Sequence, residues 1–140
     1  MKQFFTMAIG AAGTLLSAAL GGWDHAIITL LSFMAIDFVT GWAVAVVFGK
    51  SHKTESGGYS SAIGLKGLCK KGMILLLVVV ANLLDQQIGA NYVRDGVCIA
   101  FMVNEGMSIL ENAALMGIPI PAIITKVLDV LKADSEDVKA

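Results

Sequence analysis

Hydrophobic positions along this chain gather into long runs with short polar punctuation, and the runs are too long for buried strands. The first extends from Phe4 to Leu20 behind Lys2, and the second from Ala26 to Phe48 with Asp37 as its only charge. The third covers 72–89 and has Asn82 inside it; the fourth covers 96–118 and carries Asn104, Glu105, Ser108, Glu111 and Asn112. At ~1.5 Å per residue, a helix of about 20 residues crosses the ~30 Å hydrocarbon core of a bilayer. Gly21 to His25 reads as a turn with Trp23 at an interfacial position, and Ala90 to Asp95 as a second turn. Residues 49–71, with Ser-Gly-Gly-Tyr-Ser-Ser in the middle, read as the main polar loop. Pro119 and Pro121 end the fourth run. Ala122 to Lys132 then has the spacing of a short amphipathic helix, and Asp134 to Ala140 is a charged tail expected to fray.

The pattern predicts an all-α integral membrane protein, one membrane domain over 1–140, with about four transmembrane helices and a short C-terminal amphipathic helix. The lower count is three, because the fourth span is weak. Its apolar residues contribute about −0.3 to −0.6 kcal/mol each, against about +2.5 to +3.5 for an acid near the helix centre. Alone it would not insert; it needs neighbours, a wet face or an interfacial position. Lys2 followed by an apolar run and Ser17-Ala18-Ala19 also fits a signal peptide, but a retained helix is the preferred reading. In that helix Gly10, Thr14, Ser17 and Gly21 form a stripe of small residues suited to close helix packing in lipid.

Composition agrees: 56% of residues are hydrophobic and 15% charged, against roughly 45–50% and 25% in soluble domains. Lipid has to cover that surface. The net charge of −1 gives no basic face for nucleic acid. Cys69 and Cys98 form neither a zinc pattern nor a CxxC pair and read as small buried hydrophobes. His25 and His52 lie far apart in polar segments, and no nucleotide-binding, hydrolase or metalloprotease motif is present. The expectation is a non-enzyme with no metal and no cofactor.

Lysine bias sets the orientation. Lys50, Lys53, Lys66, Lys70 and Lys71 all fall in the 49–71 loop, half of the 10 Lys and Arg residues, so that loop is expected in the cytoplasm. Four spans then place both termini there and leave Arg94 outside. Cys69 and Cys98 fall near opposite faces and cannot pair. Counting along each run puts Asp37, Asn82 and Glu105 at one depth near the midplane, with no Lys or Arg beside them. Asn104, Glu105, Ser108, Glu111 and Asn112 fall within an arc of about 120° at ~100° per residue, one polar face on an otherwise apolar helix. Such groups are protonated, hydrogen-bonded between helices, or wetted by a lumen. Asp37, one turn before Gly41, is expected to bond Asn82 or the fourth helix.

Three blocks of sequence carry a resemblance. They are Ile36-Asp37-Phe38-Val39-Thr40-Gly41; Ser60-Ser61 through Gly64-Leu65-Lys66-Gly67-Leu68-Cys69-Lys70-Lys71; and the acidic run Asn104 to Asn112, continuing into Gly117-Ile118-Pro119-Ile120-Pro121. Together they make the chain, from about Ile28 to Leu131, resemble the toxin-secretion/phage-lysis holin family. The third block is the most specific, and the glycine-rich first helix has no match in it. The resemblance implies a protein that accumulates in the bacterial cytoplasmic membrane, forms homo-oligomeric lesions, and releases an endolysin or a toxin without a predicted direct contact. It implies no catalytic residues. Two other readings stand beside it: a small proton-coupled transporter or ion channel using Asp37 and Glu105, and a membrane scaffold. A transporter often shows repeated halves, and no repeat relates 1–48 to 72–118.

Overall fold

The computed structural model describes residues 1–137, apart from the side chain of Ser135, and among them it is entirely helical. Five helices follow one another: α1 (Lys2–Leu20), α2 (His25–Val46), α3 (Ser61–Ile88), α4 (Val93–Leu115) and α5 (Ala122–Asp137). Three of them, α1, α2 and α3, are long and apolar enough to cross a membrane. The fourth is not among these, in keeping with its polar residues. It is instead the helix around which the others gather, packing most extensively against α2 and then against α3 and α5. Its neighbours supply what its own composition lacks.

The connections at one end of the bundle, here the turn end, are tight. Gly21 closes α1 in the left-handed conformation at φ 83°, and Asp24 caps α2 by accepting from the Ile27 N–H at 3.1 Å. A Cβ on Gly21 would lie 2.6 Å from Asn82 Oδ1 and 2.7 Å from Arg94 Nε, so glycine is required there for space as well as for dihedral. Gly89 closes α3 at φ 67°. The Asp85 carboxylate then accepts from the Val93 and Arg94 N–H groups at 3.0 and 2.9 Å, so the last turn of α3 satisfies the open N-terminus of α4. At the opposite, loop end, residues 47–60 fold back on themselves. Ser51 N–H donates to Gly57 C=O and the Thr54 hydroxyl to Gly58 C=O.

Three expected boundaries are corrected. The polar loop stops at Ser60, and α3 starts eleven residues before the expected 72. Residues 61–71 are helical because Lys66, Lys70 and Lys71 are good helix formers, and they outweigh Gly64 and Gly67, each costing about 1 kcal/mol in a helix interior; Gly64 sits where a side chain has little room, Gly67 beside open space. A Cβ on Gly64 would stand 3.2 Å from the Tyr59 hydroxyl. The fourth helix begins at Val93 and ends at Leu115, before the prolines. The amphipathic segment runs to Asp137, so Asp134 to Asp137 are helical, while the last three tail residues lie outside the described residues.

The interior is a seam of residues three and four apart, the helical repeat. On α2 it reads Ile27, Leu30, Met34, Asp37 and, two turns on, Val44; on α4 it reads Arg94, Cys98, Met102, Glu105 and, two turns on, Asn112. On α3 it reads Lys71, Ile74, Val78, Asn82, Asp85. Leu30, Met34, Val78, Cys98 and Met102 belong to one hydrophobic core. Seen along the bundle, apolar layers lie between a polar cluster at each end of the seam.

Candidate functional site

The lower cluster joins three helices. Lys71 of α3 donates to Asp37 Oδ2 of α2 at 2.8 Å and also to Glu105 Oε2 of α4. All three side chains are largely buried, with 14, 10 and 6% of the side chain exposed for Lys71, Asp37 and Glu105. Two turns beyond Glu105 towards the loop end, the Asn112 amide donates to Asp37 Oδ1 at 3.2 Å and to the Thr40 hydroxyl at 2.9 Å. Among the described residues no buried side-chain nitrogen or oxygen lacks a partner. This overturns the expectation that no lysine or arginine reaches these acids. Lys71 belongs to α3 and not to the loop, and α3 carries it inward on the same face as Ile74 and Val78. Besides Lys71, Asp37 is met by α4, through Asn112, and not by Asn82.

A cavity of about 760 Å³ adjoins this cluster. Asp37 and all five members of the α4 polar face, Asn104, Glu105, Ser108, Glu111 and Asn112, line it. They do not share one environment: Glu105 and Asn112 are buried, Ser108 is half-buried, and Asn104 and Glu111 are exposed. Across the cavity stand α3, from Ile63 to Ile74, and the folded loop with Lys53. Gly41, Gly64 and Gly67 line the wall, where the absent side chains leave room. Of the loop lysines, Lys53, Lys70 and Lys71 line the cavity, whereas Lys50 and Lys66 do not.

The second cluster lies at the turn end and centres on Arg94, which is 6% exposed. Its guanidinium donates in bidentate fashion to Asp24, at 2.8 and 3.0 Å, and to Asp95 at 3.0 Å, while Nε donates to the Leu20 carbonyl at the end of α1. Asn82 donates to the Ala19 carbonyl at 3.1 Å. The Arg94 hydrogen bonds hold the Asp24 carboxyl down, from 3.8 to about 2, against a smaller opposing effect of burial. Asn82 therefore belongs here, eleven residues or about 16 Å along α3 from Lys71, and not at the depth of Asp37 and Glu105. Arg94 was expected merely outside, and Asp85 was not singled out at all. The signal for Arg94 was its spacing of 4, 4 and 3 to Cys98, Met102 and Glu105, which puts it on the buried face.

The small-residue stripe of α1 divides. Lys2 to Ala12 are exposed throughout, Thr14 is exposed and bonds only the Gly10 carbonyl, and nothing lies within 4 Å of a Cβ built on Gly10. Ser17 is half-buried, and Gly21 serves the turn. Gly41 packs beside Asn112, 3.7 Å from where its Cβ would be. Cys69 is exposed and Cys98 buried, and both are free thiols.

The fold and its two inward-facing polar clusters define an all-helical membrane protein whose buried charged residues are satisfied between helices rather than left to lipid. The profile of the bacteriophage holin family matches residues 14–133, and the chain belongs to that family. Among its relatives, a probable holin of Bacillus phage phi105 is 34% identical over 76% of this chain and 74% of its own length. An uncharacterized protein of Clostridium perfringens strain 13 is 41% identical over 83% of this chain and 82% of its own. A second, an uncharacterized 14.9 kDa protein in the nagH 3' region of Clostridium perfringens, is 38% identical over 90% and 91%. No solved structure matches the chain.

Proposed function

We propose that this protein accumulates in the bacterial cytoplasmic membrane as a multi-pass chain with both termini cytoplasmic, then assembles with its own copies into lesions that let an endolysin, or a toxin, pass. The carrying observation is family membership from residue 14 to residue 133, which takes in α2, α3 and α4 whole, the last third of α1 and all but the last turn of α5. The geometry supports a chain that waits quietly in lipid. Its long apolar helices suit a lipid surround, and Asp37 and Glu105 are held internally by Lys71. Assembly of such chains rises steeply with concentration by mass action, a physical basis for delayed onset. The proton-coupled carrier reading needs Asp37 and Glu105 free to exchange protons, and their shared hold on Lys71 gives it no support.

The test is induction in bacteria with and without a co-expressed endolysin, following culture density, entry of a membrane-impermeant dye and release of the endolysin. The expected outcome is a quiet interval, then abrupt permeabilisation, with lysis only when the endolysin is present. Graded solute uptake without dye entry would instead indicate a transporter.

A further inference from the structure

We propose that the cavity between α2, α3 and α4 is a water-filled vestibule, open at the loop end, that already reaches the Asp37–Lys71–Glu105 level in a single unassembled chain and is stopped there by the apolar layers. It takes water and small hydrated ions. The proposal rests on the membrane placement in the reading above, and not on lysis.

Three observations carry it. The first is charge: two carboxylates share one ammonium, so the cluster is not balanced by its own members. Ionised groups removed from water cost several kcal/mol each unless well compensated, and within membranes such groups face protein interiors or water-filled cavities. The second is space. About 760 Å³ adjoins the cluster, room for about twenty-five waters at ~30 Å³ each, and the polar side chains in its mixed lining, Asp37, Glu105, Ser108 and Asn112 among them, offer the several partners an ordered water needs. The third is position. The cavity also meets His52, Lys53, Lys70 and Glu111, all exposed, which belong in water and place its mouth at the loop end.

Above the cluster the seam turns dry. Met34 and Met102 lie one turn beyond Asp37 and Glu105, and Leu30, Val78 and Cys98 one turn further, all buried. From Glu105 to Arg94 is eleven residues, about 16 Å. The dry part of a path through one chain is therefore roughly half the ~30 Å hydrocarbon thickness.

The chain carries two of the needed reporters, exposed Cys69 and buried Cys98. Full-length protein is reconstituted in phosphatidylcholine/phosphatidylglycerol vesicles, dilute enough that chemical cross-linking finds only single chains. A small, charged, impermeant thiol reagent is then added to one side, and labelling is read peptide by peptide. Ser108→Cys is expected to react within about tenfold of Glu111→Cys, and only from the side that labels Cys69, while Cys98 reacts at least ~100-fold more slowly from either side, since access and thiolate exposure govern the rate. Cys69 labelling in the same molecules, with unchanged helicity, shows that each variant has folded. If Ser108→Cys is as slow as Cys98, or reacts only at densities where chains cross-link, the single-chain vestibule is wrong. If Cys98 is labelled as fast as Ser108→Cys, the apolar stop is wrong. Lysis enters none of these readouts, so a chain that labels as expected but never lyses cells would defeat the functional reading alone.

Discussion

At Lys71 a single ammonium answers to carboxylates on two different helices, so the three side chains are not interchangeable in what their loss does. Removing Lys71 leaves two acids facing each other with no cation, whereas Asp37→Asn or Glu105→Gln leaves one intact pair. Breaking a buried pair from one side costs about 3–5 kcal/mol, while neutral replacement of the whole set is often tolerated. Lys71→Met is therefore expected to lose about that much stability in detergent unfolding followed by circular dichroism. Adding Asp37→Asn and Glu105→Gln to it should restore most of the loss. A Lys71→Met protein as stable as the parent would show that the bridge holds nothing. Glu111, exposed at the cavity rim, should behave differently from Glu105: Glu111→Gln changes stability by less than about 0.5 kcal/mol, the ordinary range for a surface substitution.

Asp24 does two jobs, capping α2 and pairing with Arg94. Because its carboxyl is held at about 2 against an ordinary 3.8, it binds protons less readily when folded. Its contribution is thus complete above about pH 4 and is lost as the pH falls through about 2. The side chain is half exposed, so the contribution is small. Asp24→Asn keeps a cap and should flatten that acid limb, whereas Asp24→Ala should cost a further ~1 kcal/mol from the lost cap. Thermal unfolding in micelles between pH 5 and pH 2 separates the two.

Among the helices, α4 shows most clearly how much the sequence can tell. Its polar arc, its poor self-sufficiency and its stop before the prolines follow from periodicity and insertion energies, and so do the apolar outlines of α1 and α2. Lys71 and Asn82 escape the sequence for one reason: the start of a hydrophobic run does not fix depth, because a helix can begin well before its run does. Lys71 is polar enough to look like loop, yet it stands three and seven residues before Ile74 and Val78, on the face that turns inward. Which acid a buried cation will meet depends on how three helices are registered against one another, and no local spacing encodes that. The Asp85 cap was likewise hidden, because its partners, the Val93 and Arg94 amides, belong to the next helix.

Contact between α4 and α5 depends on Gly106. A Cβ there would sit 2.8 Å from Leu128 Cδ2 and 3.4 Å from Phe33 Cε2. Gly106→Ala should loosen α5 from the bundle, and Gly106→Val more so. Leu128→Ala in the same chain should relieve the alanine variant, since the obstructing atom is the end of a flexible side chain. Hydrogen exchange over 122–137 reads the effect directly: faster exchange in Gly106→Ala, with no difference between Leu128→Ala and the double variant. Equal protection in Gly106→Ala and the parent would mean that α5 is held elsewhere.

For the molecule as a whole, α2, α3 and α5 gather on α4, while α1 joins them mainly through α3 and stands largely apart over its N-terminal half. Only Leu20 is buried along α1, and the helix is fixed at its C-terminal end by Asn82 on the Ala19 carbonyl and Arg94 on the Leu20 carbonyl. The portion exposed throughout, Lys2 to Ala12, is a lever about 16 Å long at ~1.5 Å per residue, on a helix that ends at two successive glycines with positive φ, Gly21 and Gly22. A chain built this way is asymmetric towards its copies. Where the lever of one chain rests on the bundle of the next, each contact uses two different surfaces and repeats head to tail. Contacts of that kind close into a ring when the turn between neighbours divides the circle, and otherwise run on as an open array. A lever exposed along its length offers no single seat that would dictate one turn, so rings of more than one subunit number are expected, and mass distributions of detergent-extracted assemblies should be broad rather than a single species.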